Sequence, residues 1–285
     1  MPQLLTILNK ASKFLSEKGS PSPTLDAEVL LANVLGMQRI DLYVNYDRPL
    51  DKRELAGYRE AIARRAKLEP VAYITGKKEF YSREFKVNNN VLIPRPETEL
   101  LVEKVLGYIE NFEIESPMIL DLCTGSGALA ITLDLELEDA TVTATDIAKE
   151  SLVVARENAK THNASVEFIE GDLFTGVNQK FDIIVSNPPY IPTESWEKLE
   201  PNVKLYDPKM ALDCRDDRLL CYRRIINESP SYLKDAGALF LEIGQNQDID
   251  VAKLAEKSKV FAPAMVAKDL AGINRVIFLK RLISD

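Results

Sequence analysis

Histidine, cysteine and tryptophan are scarce in this chain, which has one histidine, three cysteines and one tryptophan among 285 residues. The cysteines, Cys123, Cys214 and Cys221, are too few and too scattered for a disulfide framework or a zinc site. With His162 as the single histidine, a Ser-His-Asp triad is not expected either. We therefore predict that the chain binds no metal.

Long hydrophobic runs are also missing. No apolar run reaches the ~18 residues that a membrane-spanning helix needs. The N-terminal segment, residues 1–6, lacks the basic region and apolar core of a signal peptide. From these absences we expect a cytoplasmic protein that does not enter a membrane.

Positive charge is in deficit, and the deficit is unevenly distributed. Residues 1–85 carry 14 Lys and Arg against 11 Asp and Glu, a balance of +3; residues 86–285 carry 22 against 33, a balance of −11. So acidic a main domain is poorly suited to hold duplex DNA through its phosphates, and we expect no direct contact with nucleic acid. A chance asymmetry among solvated surface residues explains the same distribution.

The segment Phe181–Pro192 carries the most informative pattern in the chain. Its first half, Phe181–Ser186, is an apolar run typical of a buried parallel strand. The prolines that follow end the strand, because proline has no N–H for the ladder. Asn187 then offers an amide, its neighbours offer carbonyl oxygens and Tyr190 offers an aromatic face, an arrangement that suits a planar –NH2 group. A tight turn with a packed tyrosine explains the same residues.

Residues 1–69 form a predicted all-helical unit. The predicted helices are 2–18, 24–35 with Thr24 as N-cap, 39–44 and 51–68. The unit contains no catalytic constellation. Its role would be either to support the rest of the chain or to grip a macromolecular partner.

A linker, residues 70–94, is predicted to form a β-hairpin from the segments 73–81 and 84–87. Pro96 is well placed to open a helix that runs to about residue 109. Arg95 and Glu97 could close over a cofactor there. A helix start explains these two residues as well and is the favoured interpretation.

The remaining segment, 95–285, alternates strands and helices as in a parallel, doubly wound α/β sheet. The predicted strands are 118–122, 141–145, 166–170, 181–186, 238–243, 261–267 and 274–280. The predicted helices between them are 129–137, 149–161, 218–227 and 248–257. The last two strands have no clear helix between them, which indicates a terminal hairpin in a seven-stranded sheet.

Polar residues follow four successive predicted strands. Asp121 to Gly127 form a glycine-containing turn whose backbone a ligand could approach, although a tight turn without a ligand is the alternative. Asp146 could accept the hydroxyls of a ribose or cap the next helix. Asp172 could accept from an adenine amino group that Leu173 covers. Because all of these residues and Asn187 would meet at one edge of the sheet, we predict a nucleoside site there.

The turn lacks the dinucleotide fingerprint, and its shorter Asp-x-x-x-Gly-x-Gly form suits a nucleoside with an amino-acid tail. This turn would lie beside the Asn187–Tyr190 segment, which suits a planar –NH2 group. The combination indicates S-adenosylmethionine and methylation of nitrogen. These motifs, the run Leu92–Glu99 and the segment Asp269–Val276 together resemble the HemK/PrmC family. Its members are protein-(glutamine-N5) methyltransferases of peptide chain release factors, with a Rossmann-like class I methyltransferase fold.

The resemblance covers nearly the whole chain and implies a role for each motif. It implies that residues 1–69 recognise the substrate, that 70–94 link the domains and that 95–285 bind the cofactor and catalyse. The implied catalytic residues are Asn187, Pro188 and Tyr190, and the implied substrate-binding residues are these three and Pro189. The implied cofactor-binding residues are Asp121, Cys123, Thr124, Gly125, Ser126, Gly127, Asp146, Asp172, Leu173 and Asn187. The expected partner is a release factor, and the chain is expected to be a monomer.

In two places the chain departs from the family pattern. The family often has glycine where this chain has Cys123, and segment 211–219 contains less glycine than is usual. The Asn-Pro-Pro-Tyr motif is also shared with adenine-N6 DNA methyltransferases and some ribosomal RNA guanine methyltransferases, both disfavoured by the acidic main domain. A non-catalytic protein that binds the cofactor is the remaining alternative.

Overall fold

The computed structural model describes residues 3–283 and contains two compact units. One unit comprises the chain up to Lys77 together with Glu200–Tyr206. The other comprises Lys78–Leu199 and the chain from Asp207 onward. Met1 and Pro2, where the first helix was predicted to begin, and the last two residues of the predicted 95–285 segment lie outside the described residues.

The first unit is helical, as predicted. Its helices are α1 (Leu4–Glu17), α2 (Pro23–Leu35), α3 (Arg39–Val44), α4 (Lys52–Arg65), α5 (Val71–Thr75) and α9 (Pro201–Tyr206). Apolar side chains at helical spacing, among them Leu4, Leu8 and Leu15 of α1, are buried against α2 and α4. The Tyr206 hydroxyl donates to the Lys67 carbonyl at 2.9 Å, which ties α9 to this unit.

Helix α2 begins earlier than the sequence indicated, and the prediction that Thr24 caps it was wrong. Ser22 occupies the N-cap and Pro23 the first helical position, where its fixed φ suits a helix start and its missing N–H is not needed. Asp51 does cap α4, because its carboxylate accepts from the Glu54 N–H at 2.8 Å.

The predicted β-hairpin is present, but its first strand is shorter than expected. Strands β1 (Lys77–Phe80) and β2 (Arg83–Lys86) pair with each other, whereas residues 73–75 belong to α5. Tyr81 and Ser82 form the turn in left-handed conformations, with φ of 49° and 60°. Gly76, at φ 76°, ends α5 and separates the helix from the hairpin.

The second unit contains a sheet of seven strands within residues 3–283. They are β3 (Met118–Leu122), β4 (Thr141–Asp146), β5 (Glu167–Glu170), β6 (Phe181–Ser186), β7 (Leu233–Glu242), β8 (Met265–Lys268) and β9 (Asn274–Lys280). Their order is β5-β4-β3-β6-β7-β9-β8. The first five strands are parallel, and β9 runs antiparallel to both β7 and β8. The α/β class and the terminal hairpin are therefore confirmed.

Helices cover both faces of this sheet. They are α6 (Pro96–Asn111), α7 (Ala128–Glu136), α8 (Lys149–His162), α10 (Lys209–Leu212), α11 (Leu220–Glu228) and α12 (Asp248–Ser258). Short 3₁₀ turns lie at Thr193–Lys198 and Ser229–Ser231. Side chains alternate between two cores, because successive strand residues point to opposite faces: Ile183 and Val185 lie in one core and Ile184 in the other.

Two strands start several residues away from their predicted first residue, and the other differences in strand bounds are single residues. Strand β8 begins at Met265, and Phe261 makes only an isolated bridge to Arg281. Strand β7 begins at Leu233 rather than Ala238 because Leu233 pairs with Phe181. The register then shifts, because β7 advances from Leu233 to Ala238 while β6 advances only from Phe181 to Ile183. The extra residues of β7 interrupt its apolar pattern, so the sequence did not reveal the earlier start.

Candidate active site

The carboxyl ends of β3, β4, β5 and β6 meet at one edge of the sheet, with β3 and β6 adjacent. The strand order reverses there, since β4 and β5 continue to one side of β3 and β6 and β7 to the other. Crevices at such a switch point are the usual ligand sites of open α/β sheets. Each predicted site residue lies at the end of one of these four strands.

The turn after β3 is fixed by backbone hydrogen bonds to β4. The Thr124 N–H donates to the Thr145 carbonyl at 3.0 Å, and the Gly125 N–H donates to Asp146 Oδ2 at 2.8 Å. Gly127 has φ 79°, and a Cβ there would lie 3.1 Å from Ala155 Cβ. Cys123 has φ 61°, so the position where glycine is usual in the family is indeed left-handed.

Asp121 is fully buried beneath this turn. Its carboxylate accepts from the Thr124 hydroxyl at 2.6 Å. Burial raises the pKa of Asp121 to about 7, and the nearby Asp146 raises it further while Thr124 opposes the shift. Its hydrogen bond to Thr124 ties the turn to the end of β3.

Asp146, the last residue of β4, is also buried and does not cap helix α8. The N-cap of α8 is Ala148, whose N–H donates to Asp146 Oδ1 at 2.8 Å. Burial raises the pKa of Asp146, while its bonds to backbone N–H groups lower it. The two carboxylate oxygens accept from the Gly125 and Ala148 N–H groups, and the Ile147 N–H also donates to this carboxylate.

The segment after β5 places Leu173 and Asp172 beside the same crevice. A Cβ on Gly171 would lie 2.2 Å from the Thr175 carbonyl oxygen, so only glycine fits. Leu173 is buried at φ 54°. The half-exposed Asp172 carboxylate accepts from Arg224 Nη1 with both oxygens at 3.0 Å, a partner that the sequence did not reveal.

The Asn187-Pro188-Pro189-Tyr190 segment leaves the end of β6. The Ser186 hydroxyl donates to the Leu122 carbonyl at 2.8 Å and so joins the ends of β6 and β3. Tyr190 packs beside Gly244, and its carbonyl accepts from Gln247 Nε2 at 3.1 Å. Burial raises the pKa of Tyr190 to about 12.

Two adjoining cavities, of about 260 Å³ and 60 Å³, occupy this edge. The predicted residues lining the larger cavity are Cys123, Gly125, Asp146, Asp172, Leu173, Asn187 and Pro189. Those lining the smaller cavity are Asp121, Cys123, Thr124, Gly125, Ser126 and Asn187. Gly127, Pro188 and Tyr190 are not part of either lining, and Asn187 borders both.

Sequence reasoning missed three polar residues around Asn187. Thr98 and Glu242 lie behind it, and the Gln247 side chain joins Tyr190 to the end of β7 through bonds to the Gly244 N–H and the Tyr190 carbonyl. A carboxylate within the apolar run of β7 was the one available signal for Glu242.

Arg95 was predicted either to close over a cofactor or to lie at a helix start. Arg95 is the N-cap residue of α6 and Pro96 its first residue, which confirms the helix start. Its guanidinium pairs with the buried Asp207 carboxylate at 2.6 Å, and Arg95 also borders the smaller cavity.

Neither a metal centre nor a membrane span is found among residues 3–283. No group of three or more His, Cys, Asp or Glu side chains in this range is placed to hold a metal ion. No helix in the same range combines the length and the apolar character required to cross a bilayer.

Comparisons with known proteins place the chain in a family. The PrmC N-terminal domain model matches residues 6–76, and the methyltransferase small domain model matches residues 97–199. Two solved methyltransferases share the fold. One, from Pyrococcus furiosus, has a TM-score of 0.53 at 16% identity, covering 78% of this chain and 99% of its own. The other, a Thermus thermophilus 16S rRNA methyltransferase in complex with AdoMet and guanosine, has a TM-score of 0.52 at 18% identity over 72% of this chain and 49% of its own.

Full-length relatives are more similar. The release factor glutamine methyltransferase of Geobacter sulfurreducens is 40% identical over 97% of both chains. That of Leptospira interrogans is 42% identical over 98% of both chains. The chain belongs to the release factor glutamine methyltransferase (HemK/PrmC) family.

Proposed function

We propose that this protein is an enzyme that transfers a methyl group from S-adenosylmethionine to the side-chain amide nitrogen (N5) of a glutamine in peptide chain release factors. The target is the glutamine of their Gly-Gly-Gln motif. The observation that carries the proposal is the position of Asn187, which lies at the strand switch point and borders both cavities. The full-length similarity to release factor glutamine methyltransferases supports the choice of substrate.

The residues at the turn after β3 suit a nucleoside with a charged amino-acid tail. Gly125 and Gly127, both at positive φ, allow close approach to the backbone, and the Asp146 carboxylate at the end of β4 would accept from ribose hydroxyls. Leu173 supplies an apolar surface for the adenine, and Asp172 would accept from its amino group while paired with Arg224. When bound, S-adenosylmethionine supplies an electrophilic methyl group on a sulfonium sulfur.

The Asn187–Tyr190 segment after β6 would hold the glutamine amide. The Asn187 side-chain oxygen and the Pro188 carbonyl would accept its two N–H groups, and Tyr190 would cover the amide plane. Of this segment, Asn187 and Pro189 border the larger cavity. An amide nitrogen is a poor nucleophile, so fixing it at ~3–3.5 Å from the methyl carbon contributes several kcal/mol through positioning. Oriented acceptors also stabilise the positive charge that develops on nitrogen. The glutamine nitrogen gains the methyl group as the methyl carbon–sulfur bond breaks, the electron pair of that bond stays on sulfur to give a neutral thioether, and the nitrogen releases one proton to solvent.

Each segment of the chain has its own role in this proposal. Residues 1–69 recognise the release factor, residues 70–94 link the domains, and residues 95–285 bind the cofactor and catalyse. The enzyme acts in the cytoplasm as a monomer and makes no direct contact with nucleic acid.

The experiment measures methyl transfer from labelled S-adenosylmethionine to three substrates. These are a purified bacterial release factor, its Gly-Gly-Gln variant with alanine in place of glutamine, and duplex DNA. Label on the intact factor alone supports the proposal. Label on DNA would favour the adenine-N6 activity. Equal label on both forms of the factor would exclude the Gly-Gly-Gln glutamine as the site of methylation.

A further inference from the structure

A buried polar pair lies directly behind Asn187. Thr98 is in the first turn of α6 and Glu242 ends β7, and their relative exposures are 7% and 2%. The Thr98 hydroxyl donates to Glu242 Oε2 at 2.6 Å, and Asn187 Nδ2 donates to Thr98 Oγ1 at 3.2 Å. The Asn187 side chain also donates to Glu242 and thereby lowers the pKa of that carboxyl.

These bonds have a fixed direction when Glu242 is ionised. A carboxylate has no hydrogen to donate, so the Thr98 hydroxyl must be the donor in its hydrogen bond with Glu242. The Thr98 oxygen is then available only as an acceptor, and only the –NH2 end of Asn187 can donate to it. The oxygen end of Asn187 is therefore left for the cavity that this residue borders.

We propose that Thr98 and Glu242 are positioning residues that fix the orientation of the Asn187 amide, so that its oxygen rather than its nitrogen faces the methyl acceptor. The inference rests on the proposed function, because an acceptor oxygen is useful only for a substrate that presents N–H groups. A flipped amide would present two donors to the substrate –NH2 group and repel it.

The charge of Glu242 makes this arrangement sensitive to pH. Burial raises the pKa of Glu242 to about 7; the negative charge of Glu97 raises it as well, whereas Arg275 lowers it. Tyr190 and Tyr222 also face Glu242. Burial raises the pKa of both phenols, and the negative charge of Glu242 raises it further, so both stay neutral. A protonated Glu242 can donate to Thr98, and the direction of the bonds is then no longer enforced.

The same bonds also connect α6 to β7, so a purely structural role must be distinguished. We would compare the wild type with Thr98→Val, Thr98→Ser and Glu242→Gln. The matched control is Thr132→Val, which makes the same change at another fully buried threonine. For each protein we would measure kcat for release factor methylation, the Kd for S-adenosylmethionine and the melting temperature.

We expect Thr98→Val to lower kcat roughly 10- to 100-fold, as misplaced reacting groups do, with little change in cofactor Kd. Thr98→Ser keeps the hydroxyl and should retain a rate close to that of the wild type, as should Thr132→Val. The wild-type kcat should fall as the pH drops below about 7, and Glu242→Gln should lose this step. If Thr98→Val and Glu242→Gln keep the wild-type kcat, the positioning role is wrong although the methyltransferase activity stands.

A measurement independent of activity separates the two proposals. Nuclear magnetic resonance of the 15N-labelled Asn187 side chain should show slowly exchanging –NH2 protons that titrate with Glu242 in the wild type. In Thr98→Val these protons should exchange faster. If the wild type fails to methylate a release factor but shows this signature, the proposed substrate is wrong and the orientation of Asn187 is supported. Rapid exchange in the wild type would overturn the positioning role itself.

Discussion

At the scale of single residues, the proposed chemistry depends on one side-chain amide. Replacing Asn187 with alanine removes the acceptor oxygen but leaves the turn after β3 and Asp146 unchanged. We expect turnover to fall by at least about 100-fold, because positioning is lost, and cofactor binding to change far less. Labelled methyl transfer and isothermal titration calorimetry with S-adenosylmethionine would measure the two effects. A wild-type rate in this variant would show that Asn187 does not hold the substrate amide.

Another prediction concerns Thr132 of α7, which is fully buried. Among residues 3–283, no hydrogen-bond partner is found for its hydroxyl. Thr132→Val replaces the hydroxyl with a methyl group of similar size and should raise the free energy of unfolding by about 1 kcal/mol. Urea denaturation would measure this gain. A loss of stability would mean that the hydroxyl has a partner, such as a buried water.

Local motifs allowed most of the candidate site to be predicted from the sequence, but not Thr98 and Glu242. Asp146, Leu173 and Asn187 each follow a recognisable strand, so a rule about strand ends located them. Thr98 and Glu242 are 144 residues apart and meet only once the sheet has formed. Thr98 also lies in a run that was sufficiently explained as a helix start.

At the scale of elements, the β3–α7 turn is a tightly constrained segment of the site. Gly127→Ala would place a methyl group against Ala155 and Ile131 at φ 79°. We expect a loss of about 3 kcal/mol in unfolding free energy, from strain and overpacking together, and much weaker cofactor binding. Chemical denaturation and calorimetry would measure both quantities.

The matched control for that variant is Gly107→Ala. Gly107 lies inside helix α6, where a Cβ would meet no heavy atom within 4 Å apart from its chain neighbours and the backbone of the helix itself. Alanine is the better helix former, so this variant should gain about 0.5–1 kcal/mol and bind the cofactor normally. If both alanine variants behaved alike, the special geometry of Gly127 would be contradicted.

Elements were predicted well where the pattern was long and less well at short connections. Strands β3, β6 and β9 have the predicted bounds because each is a sharply bounded run. Residues 73–75 fell within a predicted strand, and Tyr, Ile and Thr do favour strands, but in the structure residues 71–75 form one helical turn that ends at Gly76. Tertiary context decided between these conformations.

At the scale of the whole molecule, buried carboxyl groups predict how stability varies with pH. Burial raises the pKa of both Asp121 and Glu242 to about 7 in the folded protein. A raised carboxyl pKa means that the folded state binds protons more tightly. The associated stability is complete below the unfolded-state pKa and is lost as the pH rises to about 7.

Glu242→Gln tests this relation directly. Between pH 5 and pH 8 the wild type should lose about 2 kcal/mol or slightly more relative to the variant, because most of the shift at Glu242 from 4.5 to about 7 falls within this range. Asp121 is present in both proteins, so its contribution cancels. Urea denaturation at several pH values would measure the difference. A difference that does not vary with pH would show that the pKa of Glu242 is not raised.

The sequence indicated seven strands with a terminal hairpin, and the strand order emerged only from the structure. The inclusion of Glu200–Tyr206 in the helical unit was not foreseen, because one short helix carries no signal of the unit it joins. The family resemblance, by contrast, depends on motifs spread along the whole chain, and the full-length relatives confirm it.

The most direct test of the account is to locate the transferred methyl group in a release factor by tandem mass spectrometry. The account predicts one added methyl group on the glutamine of the Gly-Gly-Gln motif, and acid hydrolysis of that peptide should release methylamine. A methyl group on any other residue, or on an oxygen of a carboxylate, would contradict it.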